Sequence, residues 1–387
     1  MKRLIFLLLI IFNYKVFAAD YGLVLSQQLL LEGNKETDFT SNTSFIPWFS
    51  APVGDFDLNI SAGITASYRN KFVMVPELHK LELSAYTFPL FNIRAGRIAW
   101  QDYSGFTAKG IFDGADVQFK LGTVLLNTAL LYTGLLYKET ANINITPGDP
   151  KDYNLKFDWS DFGNTYFAPG RFITSFHGEF PGFPYMRGKF YSGLLFQIDL
   201  SDAEKKLSSY YFFIRNVMGY KQYDLDVSGA VSFSNGPALA FSMEGGWQTG
   251  FLRDRLSLGL HWASGQGSNM AAFFPITREA QGVVLKHWFS GIMVIRTKYE
   301  ARLLPELSVH GGLRYFLRTD DVTFADQYIE KDSYSLGLEL DAGFLYVPMS
   351  DFSLFFGSGI FIPQMGGAMR SDSPVRWSLN LGAIFSL

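Results

Sequence analysis

Two neighbouring stretches of the chain carry polar and ionisable side chains at mostly alternate positions: Arg296, Lys298, Glu300 and Arg302, then Glu306, Ser308, His310, Arg314 and Arg318. A spacing of two places such residues on one face of an extended strand. The residues between them, among them Leu307, Val309, Leu313, Tyr315 and Leu317, form an apolar face. Arg255 and His261 extend the basic row from upstream, and Glu339 and Asp341 downstream supply counter-charge. Rows of fixed charge facing each other across water create a transverse field that sorts ions. An excess of basic groups on one wall favours polar or anionic solutes. The competing reading is that these charges pair across adjacent strands and solvate a filled interior.

Catalysis is a weaker reading of the same inventory. His177 shares a strand face with Glu179, and His310 with Ser308, but a hydrolase also needs an oriented third group on the same rim. The chain has no Gly-rich phosphate loop, dinucleotide fingerprint or His-rich metal spacing, and it contains no Cys. The expectation is a protein that is not an enzyme and that carries neither metal nor cofactor.

The elements that would position the charged rows are strands. Val375, Trp377, Leu379, Leu381, Ala383, Phe385 and Leu387 alternate with Arg376, Ser378, Asn380, Gly382 and Ser386, broken only by Ile384. Tyr334, Leu336, Leu338, Leu340, Ala342, Phe344 and Tyr346 do the same around Ser335, Gly337, Glu339, Asp341 and Gly343. No segment after the first twenty residues makes a membrane helix: 121–137 is interrupted by Asn127, Thr128 and Thr133, and 256–277 contains His261 and a polar run. Period two dominates instead.

Composition narrows what such strands build. Hydrophobic residues make up 48% of the 387, aromatics 17% and charged residues only 18%, which excludes a disordered chain. Lys+Arg 33 against Asp+Glu 36 leaves no basic excess for nucleic acid. Aromatics gather toward strand ends, as at Tyr210–Phe213, Trp262, Trp288 and Phe289, the distribution that interfacial girdles produce. At the start, Lys2 and Arg3 precede the apolar run 4–12, and small residues follow at the positions a signal peptidase reads. Cleavage is expected after Ala18, leaving 19–387 as one barrel domain.

The strand reading gives about eighteen strands between residue 21 and the C-terminus, with sixteen as the alternative. Three of them are placed at 123–138, 283–303 and 306–318. Every second connection is short, as at 52–54, 122, 219–221 and 304–305, and most of the others are long, as at 32–42, 101–110, 139–169, 266–282, 319–332 and 363–374. Exceptions at 70–72, 201–206 and 235–237 would be short hairpins on the long-loop side. An up-and-down antiparallel transmembrane β-barrel with both termini in the periplasm has this phase, with short periplasmic turns and longer extracellular loops. Loop 139–169 has two readings, a constriction folded into the lumen or a surface loop.

Ile93-Arg94-Ala95-Gly96-Arg97, Asp113-Gly114-Ala115, Ala263-Ser264-Gly265 and Phe273-Phe274-Pro275 resemble strand and loop signatures of the alginate-export-like group of outer-membrane porins. That resemblance implies an eighteen-stranded barrel passing an acidic saccharide or similar polar solute along an arginine-rich lumen.

The expectation is therefore a porin-type channel in the outer membrane of a diderm bacterium, its pore lined by Arg94, Arg255, His261, Arg296, Lys298, Glu300, Arg302, His310, Arg314, Arg318, Glu339 and Asp341. Its partners would be outer-membrane lipid, the barrel-assembly machinery reading the C-terminal strand, and small polar solutes. No nucleic acid is expected, and the wall is compatible with an oligomer. The alternatives are a gated or plugged barrel acting as a transporter of hydrophobic compounds, a surface receptor or adhesin, or an outer-membrane enzyme. Strand alternation begins at Tyr21, which leaves no room for the N-terminal hatch of a hydrophobic importer.

Overall fold

The computed structural model describes residues 19–86, 90–150, 153, 156–182, 187–201, 206–330 and 333–387. The export signal expected at 1–18 lies outside the described residues, as do parts of the turns at 89–90 and 181–184 and most of the connection 201–206.

The first nine strands are β1 (Asp20–Gly33), β2 (Thr37–Val53), β3 (Phe56–Arg69), β4 (Lys71–Ala85), β5 (Phe91–Gln101), β6 (Lys109–Leu121), β7 (Val124–Tyr132), β8 (Arg171–Pro181) and β9 (Arg187–Asp199). The remaining nine are β10 (Ser209–Tyr220), β11 (Tyr223–Phe233), β12 (Pro237–Trp247), β13 (Arg255–Ala263), β14 (Ile292–Leu304), β15 (Leu307–Arg318), β16 (Ser335–Met349), β17 (Phe352–Ile362) and β18 (Arg376–Ser386). Each pairs antiparallel with its sequence neighbours, and β1 closes the eighteen-stranded sheet by pairing with β18 from Val24↔Ser386 to Gly33↔Trp377. Closure leaves no free sheet edge where the ring meets itself. No helix among the described residues is long and apolar enough to cross a membrane.

Alternation decides which face is which. In β8, Phe172 and Phe176 are exposed while Arg171, Ile173, Ser175 and His177 are buried. In β18, Leu379 and Leu381 are exposed and Ser378 is buried. Polar side chains thus point into the barrel, and a belt of apolar ones points out. Such an exterior is stable only in contact with lipid.

The connections follow the expected alternation of short and long with one correction: the connection expected to be long at 32–42 is a tight turn at 34–36, because the β1–β2 ladder runs on to Gly33↔Thr37. The other long ones on the rim opposite the termini turn inward. Phe106, Phe273 and Phe289 meet edge to face at 5.1 to 6.1 Å and join a buried core with inward residues of the wall such as Phe112, Tyr211, Phe213 and Phe316. Main-chain bonds knit three loops together: Ile276 N–H to the Thr107 carbonyl at 2.8 Å, Asn144 N–H to that of Ile276 at 2.9 Å, and Arg278 N–H to that of Asn142 at 2.8 Å. Loop 139–169 therefore sends its first part into the lumen, where Ile143 forms an isolated bridge with Thr277. Fully buried Arg171 fixes it, donating to Asp149 Oδ1 at 3.0 Å and to Asp199 Oδ1 at 2.6 Å.

Two further strand boundaries differ by six residues or more from the sequence reading. The stretch 283–303 is a strand only from Ile292; residues 283–291 belong to the infolded loop, where the N–H groups of Val283, Val284 and Leu285 serve a carboxylate instead of a ladder. The strand placed at 123–138 ends at Tyr132, and a helical turn, α1 (Lys138–Ala141), follows.

Two glycines show how tightly the wall is drawn. Gly96 in β5 has φ +110, and a Cβ there would lie 1.9 Å from the Leu81 carbonyl oxygen. Gly54, in the turn between β2 and β3, has φ +65 and nothing within 4 Å. Gly54→Ala should cost only the backbone term of about 1–2 kcal/mol. Gly96→Ala should cost at least about 2 kcal/mol more, because the β4–β5 pairing must part. Urea midpoints of the heat-modifiable folded band in detergent check the order, and equal midpoints would contradict the close approach.

Candidate pore constriction

Strands β10 to β16 present one continuous charged wall to the lumen because their register aligns it. Asp226 pairs with Glu244, Glu244 with Gly259, Gly259 with Arg296, Arg296 with Arg314, and Arg314 with Glu339. Gly259 sits where an added Cβ would be 3.0 Å from the Arg296 side chain, so it leaves room for that guanidinium to lie along the wall. Facing this row are Gln101, Ser104 and Phe106 from the β5–β6 loop and 279–283 from the β13–β14 loop. Between wall and loops lies a cavity of about 530 Å³.

The charges of this wall are paired. Arg215 grips Asp226 with two bonds, at 2.9 and 2.5 Å. Arg255 grips Asp224 at 3.1 and 2.6 Å and reaches Glu244 at 2.9 Å. Arg296 pairs with the other oxygen of Glu244. Arg314 pairs with Asp341, and more loosely with Glu339 at 3.3 Å. Lys298 pairs with Glu300 at 2.6 Å. Arg296 and Lys298 keep 35% and 39% of their side chains exposed, so a solute in the lumen can still touch them.

Most of the residues expected in the pore line one of three cavities. His261, Arg296, Arg314 and Arg255 border the constriction. Arg255 also borders a second cavity, of about 700 Å³, lined by Glu300, Arg302 and His310. Arg94 lies elsewhere, bound to Asp116 at 3.0 and 2.7 Å in a cavity of about 690 Å³ that shares Gln101 with the constriction. Lys298 and Asp341 border none of the three and are held by Glu300 and Arg314, and two further expectations need correction. Arg318 is buried and donates to the Ser333 carbonyl at 3.0 Å, holding the β15–β16 loop, and it borders none of these cavities. Glu339 is fully buried and accepts from the N–H groups of Val283 at 2.7 Å, Val284 at 3.0 Å and Leu285 at 2.7 Å. It is the anchor of the loop, not a free counter-charge.

Arg215, Asp224, Asp226 and Glu244 were not singled out from the sequence. Their signal was present, since they occupy the polar phase of strands already placed. The basic excess read from two strands disappears once these acids are included. The pairing of His177 with Glu179 also dissolves: Glu179 pairs with Lys189, while His177 is enclosed by the rings of Trp100, Tyr103 and Phe213 at 4.8 to 5.5 Å.

Three solved structures from Pseudomonas aeruginosa share this architecture. OccK8 (OprE) superposes with a TM-score of 0.63 at 12% identity, over 96% of this chain and 98% of that one. OccK2 (OpdF) in complex with glucuronate gives 0.62 at 11%, over 95% and 98%. OccD3 (OpdP) gives 0.60 at 12%, over 95% and 91%. At such identities the likeness shows the fold alone, a closed eighteen-stranded antiparallel β-barrel. It lends no support to the alginate-export-like group. No family model matches the sequence, and no curated protein does.

Two expectations follow from the anchoring of the β13–β14 loop. Glu339→Ala strands three N–H groups and removes one partner of Arg314, at a cost of about 3 kcal/mol. The loop should then leave the lumen, seen as a larger single-channel conductance and as new protease cleavage within 264–291. An unchanged conductance with an intact loop would contradict the anchor. His287 donates from Nε2 to the Ser290 carbonyl at 2.8 Å, and burial holds its imidazole below the ordinary histidine range, against the opposing pull of Ser290 and Asp320. A released loop titrates near the ordinary value of about 6.5, so neutral His287 supports infolding fully above that pH and loses support as pH falls below it. Conductance noise should grow between pH 7.5 and pH 5 in the parent and stay flat in His287→Gln.

Proposed function

We propose that this chain is a porin-type channel of the outer membrane of a diderm bacterium, through which small polar solutes, anions among them, diffuse along a paired-charge wall. The observation that carries this reading is the row from Asp226 to Glu339, partly open to a lumen that infolded loops have narrowed without filling. A solute with hydrogen-bonding groups can exchange water for these guanidinium and carboxylate groups at little cost, whereas an apolar one cannot. One of the similar Pseudomonas channels is in complex with glucuronate, a small sugar acid, which supports solutes of this class.

The rest of the proposal concerns how the chain reaches that place. Residues 1–18 act as a cleaved export signal, 19–387 form the barrel, and the alternating C-terminal strand with Phe385 is read by the barrel-assembly machinery. Leu387 and Leu23 exchange main-chain bonds of 2.8 and 3.0 Å, which suits a strand that inserts by closing on the first. A gated variant of the same reading is favoured by one observation, the apolar core that the loops build in the far half of the lumen.

The test is single-channel conductance of the purified protein in a planar bilayer, with reversal potentials in a salt gradient. Steady open steps are expected. Arg296→Ala with Arg314→Ala leaves Glu244 and Asp341 short of partners, so the double variant should shift selectivity toward cations several-fold. A folded barrel that passes no current would refute the channel.

A further inference from the structure

The cavity of about 690 Å³ beside β5 to β7 stands apart from the paired-charge wall, and its lining is of another kind. Strand register lays that lining out in two rows. Asn92 pairs with Gln118 and Gln118 with Asn127; one step further from the rim, Arg94 pairs with Asp116. Tyr86 follows the end of β4 on the rim where both chain ends lie; it borders the same space and is 56% exposed. At its other end the cavity meets the constriction through Gln101.

Charge is already satisfied in this cavity. Arg94 donates to Asp116 Oδ2 at 3.0 and 2.7 Å and to the Ala99 carbonyl at 3.3 Å, so an entering ion meets a neutralised pair. What is left over is an acceptor. Asn127 donates from its amide nitrogen to Asp116 Oδ1, which fixes the orientation of the amide. Its own Oδ1 accepts from no group among the described residues, although Asn127 is only 8% exposed. A buried acceptor without a donor is costly, so an occupant that suits this cavity brings a donor and no net charge. Carboxylates and phosphates bring acceptors alone, whereas a hydroxyl both donates and accepts. The two-ended planar groups of Asn92, Gln118 and Asn127 suit neighbouring hydroxyls. A pyranose carries such hydroxyls around its edge, and its apolar C–H face can lie on an open aromatic ring such as that of Tyr86.

We propose that this cavity is a binding subsite for neutral pyranose sugars, in which a sugar hydroxyl donates to Asn127 Oδ1 and the C–H face packs on Tyr86. This rests on the channel reading and deepens it by naming a class of solute. A sugar that has passed the constriction at Gln101 is held here before its release at the rim.

The full chain, purified in detergent and folded as judged by its heat-modifiable band, is titrated with the methyl glycosides of glucose, galactose and mannose and with cellobiose, and binding is read by saturation-transfer NMR. At least one of these sugars should bind, with its ring C–H protons receiving the strongest transfer. Tyr86→Ala should weaken that sugar about tenfold, whereas Tyr86→Phe should leave it bound, because the ring and not the hydroxyl makes the contact. Asn127→Leu removes the free acceptor and should weaken it about three- to tenfold. Tyr86 stands outside the strands, so its two variants decide the matter even if Asn127→Leu does not fold. Glucuronate should bind no more tightly than methyl glucoside. The subsite is overturned if none of the four sugars binds the folded parent, if binding survives Tyr86→Ala unchanged, or if glucuronate binds tenfold more tightly with the same dependence on Tyr86. Conductance is recorded on the same samples, and the bound sugar should interrupt the current of the parent more often than that of Tyr86→Ala. A parent that binds sugar but passes no current counts against the channel and leaves the subsite standing. A parent that conducts and binds none of the sugars keeps the channel and loses the subsite.

Discussion

A wall bathed in lipid must satisfy its backbone hydrogen bonds from within the protein, and this requirement governs the rest of the molecule. It forces the sheet to close on itself, so that the last strand ends against the first. It also forces the period of two, because one face of each strand must suit lipid while the other faces the lumen. The exterior is consequently uniform and carries little information. Whatever distinguishes this barrel from others of its size has to be written on the inner face and in the loops that reach it.

The loops reach it by burying charge, which is stabilising only when each buried group is fully bonded. Arg171 satisfies this with two aspartates, and Glu339 with three consecutive N–H groups and an arginine. An apolar contact at either place would add burial but leave the loop free to slide. A carboxylate that accepts from Val283, Val284 and Leu285 fixes their height in the lumen, and with it the width left opposite Arg296. The aromatic core around Phe273 and Phe289 then supplies cohesion, while the two buried ionic anchors supply position.

This division explains what could be read from the sequence. The eighteen strands and their short and long connections are local, since alternation at 334–346 or 375–387 needs no knowledge of distant residues. The fate of the loops is not local. Val283-Val284-Leu285 has the composition of a strand, and only the arrival of Glu339, more than fifty positions later, turns its N–H groups to another use. Pore residues divide the same way. Arg296 and Arg314 announce themselves by phase, whereas the acids that neutralise them, Glu244 and Asp341, become partners only through the register of β12 to β16.

Pairing also changes what the wall can do to a solute. A row of unpaired arginines would attract anions from a distance of about a Debye length, roughly 8 Å at physiological salt, and would hold them too long for fast passage. Arginines already held by carboxylates act at shorter range, because their fields largely cancel beyond the pair. Discrimination then depends on contact: a solute must offer groups that fit between Arg296 and Glu244, or between Arg314 and Asp341, while it sheds water. Since each guanidinium is oriented before the solute arrives, little ordering cost falls on the encounter itself. In the proposed channel, such a wall would pass polar molecules of suitable shape in sequence from Arg215 to Arg314 without binding any of them strongly enough to block the lumen.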